Sequence, residues 1–255
     1  MLAGENVSAT DATDPGESKT MKVRISSIAV LLALMLSSFA FARQDEGHKL
    51  AHFQIAIFAR GPKWETTPAE GRGPILQQHL ANVLSLYESG KLAIAGPFGD
   101  DTNLVGIFIM RAASADEARG WLDADPAVKA GLMTPEIHPW WSEDIFKKPN
   151  MPLKLDTFYF GFLKKGPNRK DGDDKDPQVQ ELQKAHIANI VRLADLKKMV
   201  MAGPFGDDGE LRGVFVFRVS SLKEAQDLSA SDPMIKIDRL RIELHPWKVP
   251  AGVLP

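Results

Sequence analysis

The heptapeptide Ala-Gly-Pro-Phe-Gly-Asp-Asp occurs twice in this chain, at Ala95–Asp101 and again at Ala202–Asp208. With the offset held at 107, Ile75–Trp140 lies over Leu182–Trp247 without a gap, and about 26 of the 66 paired positions are identical. The chain is a tandem duplication of one domain of about a hundred residues, a normal size for a folding unit. Positions kept in both copies share a constraint, structural or chemical, because the surrounding helix has diverged (Gln77 against Lys184, Tyr87 against Ala194).

Each copy has the same order of signals. An apolar run rich in aromatic and branched residues comes first, Phe53–Ala59 and Phe158–Leu163, and leads to Gly61-Pro62 and Gly166-Pro167, as a strand does. A helix follows. Ile75, Leu76, His79, Leu80, Val83, Leu84 and Tyr87 fall on one stripe of 3.6 periodicity, as do Val179, Leu182, His186, Ile187, Ile190 and Leu193 in the second copy. Two strands then flank the Gly-Pro-Phe-Gly-Asp-Asp turn, Leu92–Ala95 with Leu104–Arg111, and Met199–Ala202 with Leu211–Arg218. Ser114-x-x-Glu117 and Ser221-x-x-Glu224 are capping boxes that open a second helix. That helix must stop by Asp125-Pro126 and Asp232-Pro233. A last strand leads into His138-Pro139-Trp140 and His245-Pro246-Trp247.

The predicted class is α+β: two tandem ferredoxin-like (βαββαβ) domains, residues 50–141 and 155–250, joined by a linker over 142–154. Both helices of such a unit cover one face of its sheet. The natural cover for the other face is the second copy, which gives an internal pseudo-dimer, an intramolecular dimeric α+β barrel.

The ends are read separately. Residues 1–20 form a polar leader. Residues 21–42 read as a signal peptide, with the basic Met21-Lys22-Val23-Arg24, the apolar Ile28–Leu36 and the small residues Ala40-Phe41-Ala42. The expected location is secreted or periplasmic. The apolar run is shorter than a span requires, so no stable membrane insertion is expected after cleavage. Cleavage would remove three of 31 basic and four of 33 acidic residues, leaving 28 against 29. That balance offers no excess of positive charge to phosphates, so nucleic acid is excluded as a natural partner. The chain has no cysteine and so no thiol or disulfide chemistry. The dense run Lys164–Asp176 mixes both signs and reads as a solvated loop. His48 and His52 have metal-ligand spacing but lack a third ligand, and no metal is expected.

The run His79-Leu80-Ala81-Asn82, Gly90-Lys91-Leu92, Ala95-Gly96-Pro97, Asp125-Pro126 and Pro139-Trp140 resembles the YCII-related (YciI-like) proteins. The second copy carries the marks at His186, Ala202-Gly203-Pro204, Asp232-Pro233 and Pro246-Trp247, with Lys197 where the family often has Gly. The resemblance implies a dimeric α+β barrel, similar in fold to muconolactone isomerases, and a helix His working with a carboxylate as an acid–base pair. A related dehydrochlorinase acts on chlorinated hydroxyquinols, and most members have no established reaction.

The candidate catalytic residues are His79 and His186, with Asp101 and Asp208 as carboxylate partners that would fix the imidazole tautomer. The candidate binding residues are Gly96, Phe98, Asp100 and Trp140, with Gly203, Phe205, Asp207 and Trp247 in the second copy. The glycines at 96, 99, 203 and 206 are expected to permit a tight turn whose amides face a substrate oxyanion. His138 and His245 share a strand face with the tryptophans, and a packing role is expected for them, with a place on the cavity rim between copies as the alternative. The reading is an enzyme that needs no cofactor, an isomerase or lyase acting on a small cyclic or enolisable compound. The alternative is a non-catalytic small-molecule-binding protein of the envelope.

Overall fold

The structure is a computed structural model that describes residues 49–150, 152–170 and 172–255. The leader, the signal-peptide segment and His48 lie outside the described residues. The first repeat runs β1 (Leu50–Arg60), α1 (Ala69–Glu88), β2 (Leu92–Pro97), β3 (Leu104–Met110), α2 (Ala115–Leu122), α3 (Pro126–Lys129) and β4 (Met133–Glu143). The second runs β5 (Leu155–Lys165), α4 (Pro177–Asp195), β6 (Met199–Pro204), β7 (Leu211–Phe217), α5 (Leu222–Ser229), α6 (Pro233–Lys236) and β8 (Leu240–Pro250). A 3-10 turn at Asp173–Lys175 precedes α4. Each repeat forms one four-stranded sheet, ordered β2-β3-β1-β4 and β6-β7-β5-β8, with every pair antiparallel. This is the split βαβ arrangement twice over. Among the described residues no helix is long and apolar enough to cross a membrane.

Both faces of each sheet are covered, which is why the strands read as near-continuous apolar runs rather than alternating ones. Along β1, Phe53, Ile55 and Ile57 point into one core while Ala56 and Phe58 point into another. The first core is shared between repeats. Phe53, Ile107 and Trp140 from one sheet interdigitate there with Phe160, Phe162, Val214 and Trp247 from the other. The second kind lies under the helices, built on Phe108, Leu122 and Leu132 in the first repeat and on Leu193, Phe215 and Leu240 in the second. The helix stripe is narrower than its periodicity suggests. Leu80 and Leu84 are 57% and 50% exposed, and Ile187 is also exposed, because they sit at the edge of the buried arc.

The helix starts follow the capping chemistry. The Glu117 N–H donates to Ser114 Oγ at 3.2 Å, and the Ala113 N–H donates to Glu117 Oε2 at 2.8 Å. In the second repeat the Glu224 and Ser220 N–H groups make the matching bonds at 3.1 and 3.0 Å. The Asp-Pro pairs do more than stop a helix. α2 ends at Leu122, and Asp125 then caps α3, with Pro126 in the first helical turn, where its missing N–H is harmless. Asp232 and Pro233 repeat this at α6.

Candidate functional site

The inter-repeat seam is made by the duplicated turn. Phe98 bridges to Trp247 and Phe205 to Trp140. The Trp247 indole N–H donates to the Gly96 carbonyl, and the Trp140 indole N–H to the Gly203 carbonyl, each at 3.1 Å. The glycines are required for this approach rather than for turn geometry. A Cβ on Gly96 would stand 2.1 Å from the Lys248 carbonyl oxygen, and one on Gly203 1.8 Å from that of Trp141. None of the glycines at 96, 99, 203 and 206 has positive φ. Their amides are not open to an oxyanion either, since Gly99 N–H donates to the Pro246 carbonyl and Gly206 N–H to the Pro139 carbonyl, both at 2.7 Å. Phe98, Trp140, Phe205 and Trp247 are buried in the shared core, so the sequence-predicted binding set forms the joint between repeats.

The paired aspartates divide their work. Asp100 reaches across to Nδ1 of His245 at 2.8 Å, and Asp207 reaches to Nδ1 of His138 at 2.7 Å. On both strand histidines the second nitrogen, Nε2, faces a carboxylate of its own strand, Glu136 Oε1 at 3.0 Å from His138 and Glu243 Oε1 at 3.4 Å from His245. These pairs cross-link the two repeats, the packing role expected for the strand histidines, with the imidazoles buried and the carboxylates partly exposed. Holding Asp100 and Asp207 inward turns their neighbours outward. Asp101 is 94% exposed and accepts from Arg60 at 2.8 Å, and the Asp208 side chain is fully exposed. The expected pairing of His79 with Asp101 and of His186 with Asp208 is therefore corrected.

The carboxylate on each helix histidine comes from the Asp-Pro corner. Helix α1 packs over the start of α3 and brings His79 Nδ1 to Asp125 Oδ2 at 2.8 Å. Asn82 Nδ2, one turn along the same face, donates to that oxygen at 2.8 Å. Asp125 Oδ1 accepts the Ala127 N–H at 2.8 Å, so one buried carboxylate caps a helix and holds an imidazole. In the second repeat His186 Nδ1 meets Asp232 Oδ2 at 2.7 Å, and Met234 N–H donates to Asp232 Oδ1 at 2.9 Å. There Asn189 stands further from the carboxylate, at 3.5 Å, because its own amide oxygen accepts from Arg192 at 2.8 Å and Ser231 at 3.1 Å.

Burial pushes the Asp125 carboxyl up, but hydrogen bonds from His79, Asn82 and the Ala127 amide, with the nearby imidazole charge, bring it below the usual aspartate value. An ionised carboxylate only accepts, so His79 Nδ1 carries a hydrogen in either charge state, and in the neutral ring the lone pair is on Nε2. Among the described residues Nε2 of His79 and of His186 has no protein partner, and neither atom is wholly enclosed, although the side chains are only 16% and 9% exposed. The rings lie flat on Phe108 and Phe215, at 5.7 and 5.8 Å between centroids. Each repeat thus presents a carboxylate-held imidazole with one basic nitrogen left without a protein partner, the arrangement that general acid–base chemistry requires.

Asp125 and Asp232 were the residues missed at the sequence level, and the signal was present. Both lie at the common offset and inside the motif that carries the family resemblance. Among the described residues no group of three or more His, Asp or Glu could hold a metal ion. His52 lies tilted against the Trp141 ring, at 4.8 Å between centroids.

No curated protein matches the chain in sequence. Solved structures match in fold. A mutant chlorite dismutase of Candidatus Nitrospira defluvii in complex with cyanide has a TM-score of 0.52 at 15% identity, over 79% of this chain and 91% of that one. The enzyme of the same organism in complex with imidazole gives 0.53 at 13% identity, over 81% and 93%. A heme-binding protein of Thermus thermophilus gives 0.46 at 17% identity, over 81% and 93%, a likeness too low to carry weight.

At the two helix histidines the residues present do not fit a heme. Such a group needs an imidazole nitrogen opening onto an apolar slot. The face of the His186 ring is taken by Phe215, and the layer between α4 and its sheet is filled by Leu163, Leu193, Met199, Phe217, Met234 and Leu240, all buried. His79 sits on Phe108 in the same way.

A family model for the YCII-related domain matches residues 55–140 and 158–248. Those segments cover both repeats, including each helix histidine and its Asp-Pro carboxylate, and the chain belongs to the YCII-related family, carrying its domain twice.

Proposed function

We propose that the protein moves protons on a small cyclic or enolisable compound, as an isomerase or lyase, with His79 and His186 as the groups that take and return the proton. The observation that carries this reading is an imidazole whose Nδ1 is held by a buried carboxylate and whose Nε2 has no protein partner among the described residues, repeated in both copies. The substrate's acidic C–H or O–H would approach Nε2, and Asp125 or Asp232 would stabilise the imidazolium that forms. In the first repeat Asn82 fixes the carboxylate, which makes the His79 site the better ordered of the two. The expectation of a cofactor-free reaction draws no support from the neighbouring structures, and it stands on the site chemistry alone.

The test is solvent deuterium exchange into a panel of lactones, cyclic ketones and enols. Wild type should label a subset of them, and His79→Ala/His186→Ala should not. Equal labelling by the double variant would end the proposal. We also propose export, with cleavage after Ala42. N-terminal sequencing of the natural product should then begin at Arg43.

A further inference from the structure

The second repeat has a feature that the first lacks. Eight residues join β1 to α1, whereas eleven join β5 to α4. The longer loop is pinned at its 3-10 turn, where the buried Arg239 donates to Asp173 through both arms at 2.6 and 2.5 Å and to Asp174 at 3.1 Å. The loop forms one wall of a cavity of about 390 Å³ lined by Lys165, Arg169, Lys170 and Arg212 together with Asp174 and Asp208. That volume falls in the lower range of small-ligand pockets, about 300–1,000 Å³.

Among the described residues the positive charge in this cavity is only partly answered. Lys165 Nζ donates to the main-chain carbonyl of Asp208 at 3.2 Å, and Arg212 Nη1 to that of Asp207 at 3.3 Å. These acceptors take hydrogen bonds without cancelling charge. The Asp208 carboxylate projects into solvent, 3.8 Å from Arg212, beyond hydrogen-bond length. Arg169 bonds Asp174 at 3.1 and 3.3 Å. Its guanidinium is nevertheless held below the ordinary arginine value, first by burial and then, against the help of Asp174, by Arg212 and Arg239. Behind it the Arg239 Nε is buried and unbonded.

We propose that this cavity binds a small molecule bearing a multiply charged oxyanion, of which inorganic phosphate and pyrophosphate are the simplest. Two guanidinium forks and two ammonium groups facing one space match that chemistry better than a single carboxylate. The site occurs once per chain. At the position of Lys165 the first repeat has Arg60, which pairs with Asp101 at 2.8 Å and lies over the Trp64 ring. At the position of Arg212 it has Val105.

Isothermal titration of the protein with phosphate and with pyrophosphate, at fixed ionic strength, tests the proposal. Saturable binding of one pyrophosphate per chain is expected, tighter than that of phosphate. Arg169→Ala and Arg212→Ala should each weaken it by at least about tenfold, the loss of one charge-assisted contact. Lys170→Ala, at an exposed position that does not endanger folding, should weaken it several-fold, and Arg60→Ala should leave it unchanged. No saturable heat with either anion overturns the proposal, and so does binding that survives all three cavity variants or falls equally with Arg60→Ala. Because the histidines take no part, His79→Ala/His186→Ala should bind pyrophosphate as wild type does, which separates this result from the proton-transfer reading.

Discussion

The Asp125 carboxylate, with no solvent exposure of its own, meets the His79 ring nitrogen with both oxygens, at 2.8 and 2.9 Å, and caps helix α3 through one of them. The two duties are separable by substitution. Asn is as good a helix cap as Asp but brings no negative charge to the imidazole. Asp125→Asn should keep the fold and lower proton transfer at the first site by about tenfold or more, by analogy with other carboxylate-held histidines. Asp125→Ala loses the cap as well and should cost about 1–3 kcal/mol in denaturant unfolding.

Acid should weaken the protein through the same group. The folded Asp125 lies below its ordinary value because the bonds from His79, Asn82 and the Ala127 amide outweigh burial, which pushes the other way. A depressed carboxylate stabilises the fold above its unfolded pKa of about 3.9, and that contribution is lost as pH falls through the folded value. The melting temperature should therefore drop between about pH 5 and pH 3, less steeply in Asp125→Asn. An identical slope in the variant would show that Asp125 contributes nothing to acid sensitivity.

Gly96→Ala should be among the most damaging single-methyl changes at the seam. Its Cβ would meet the Lys248 carbonyl, which is backbone and cannot swing away. The strain should lower stability by about 1–3 kcal/mol, whereas Gly120→Ala, with open space around it, should be neutral or stabilising.

Lys197 ends α4 at φ 58°, where the equivalent Gly90 ends α1 at φ 73°. A side chain in the left-handed region is strained, and glycine is not. Lys197→Gly should raise stability by about 0.5–1 kcal/mol in equilibrium unfolding.

The fold was legible because the duplication made the sequence its own control. From the first helix onward, helix and strand signals recurred at one offset, and two apolar faces per sheet demanded a second layer. The site was legible only in part. Helix periodicity placed His79 and His186 on the covered side, but their partners are 46 residues away in sequence, beyond the reach of any local pattern. The Gly-rich turn drew attention to Asp101 and Asp208 because turns often hold functional carboxylates, while the Asp-Pro corners read only as helix stops. What decided the matter was packing. The turn is spent on joining the repeats, as Trp247 on the Gly96 carbonyl shows, and the corner beneath α1 is where a buried carboxylate meets the ring.

At each helix histidine Nδ1 is held by Asp125 or Asp232, and among the described residues Nε2 has no protein partner. Long-range proton–nitrogen NMR of the histidine side chains tests it directly, with His79→Gln and His186→Gln providing the assignments. The account predicts that the neutral rings of both residues carry hydrogen on Nδ1, and that Asp125→Asn disturbs this state at His79 alone. Neutral rings protonated on Nε2, with Nδ1 bare, would contradict it.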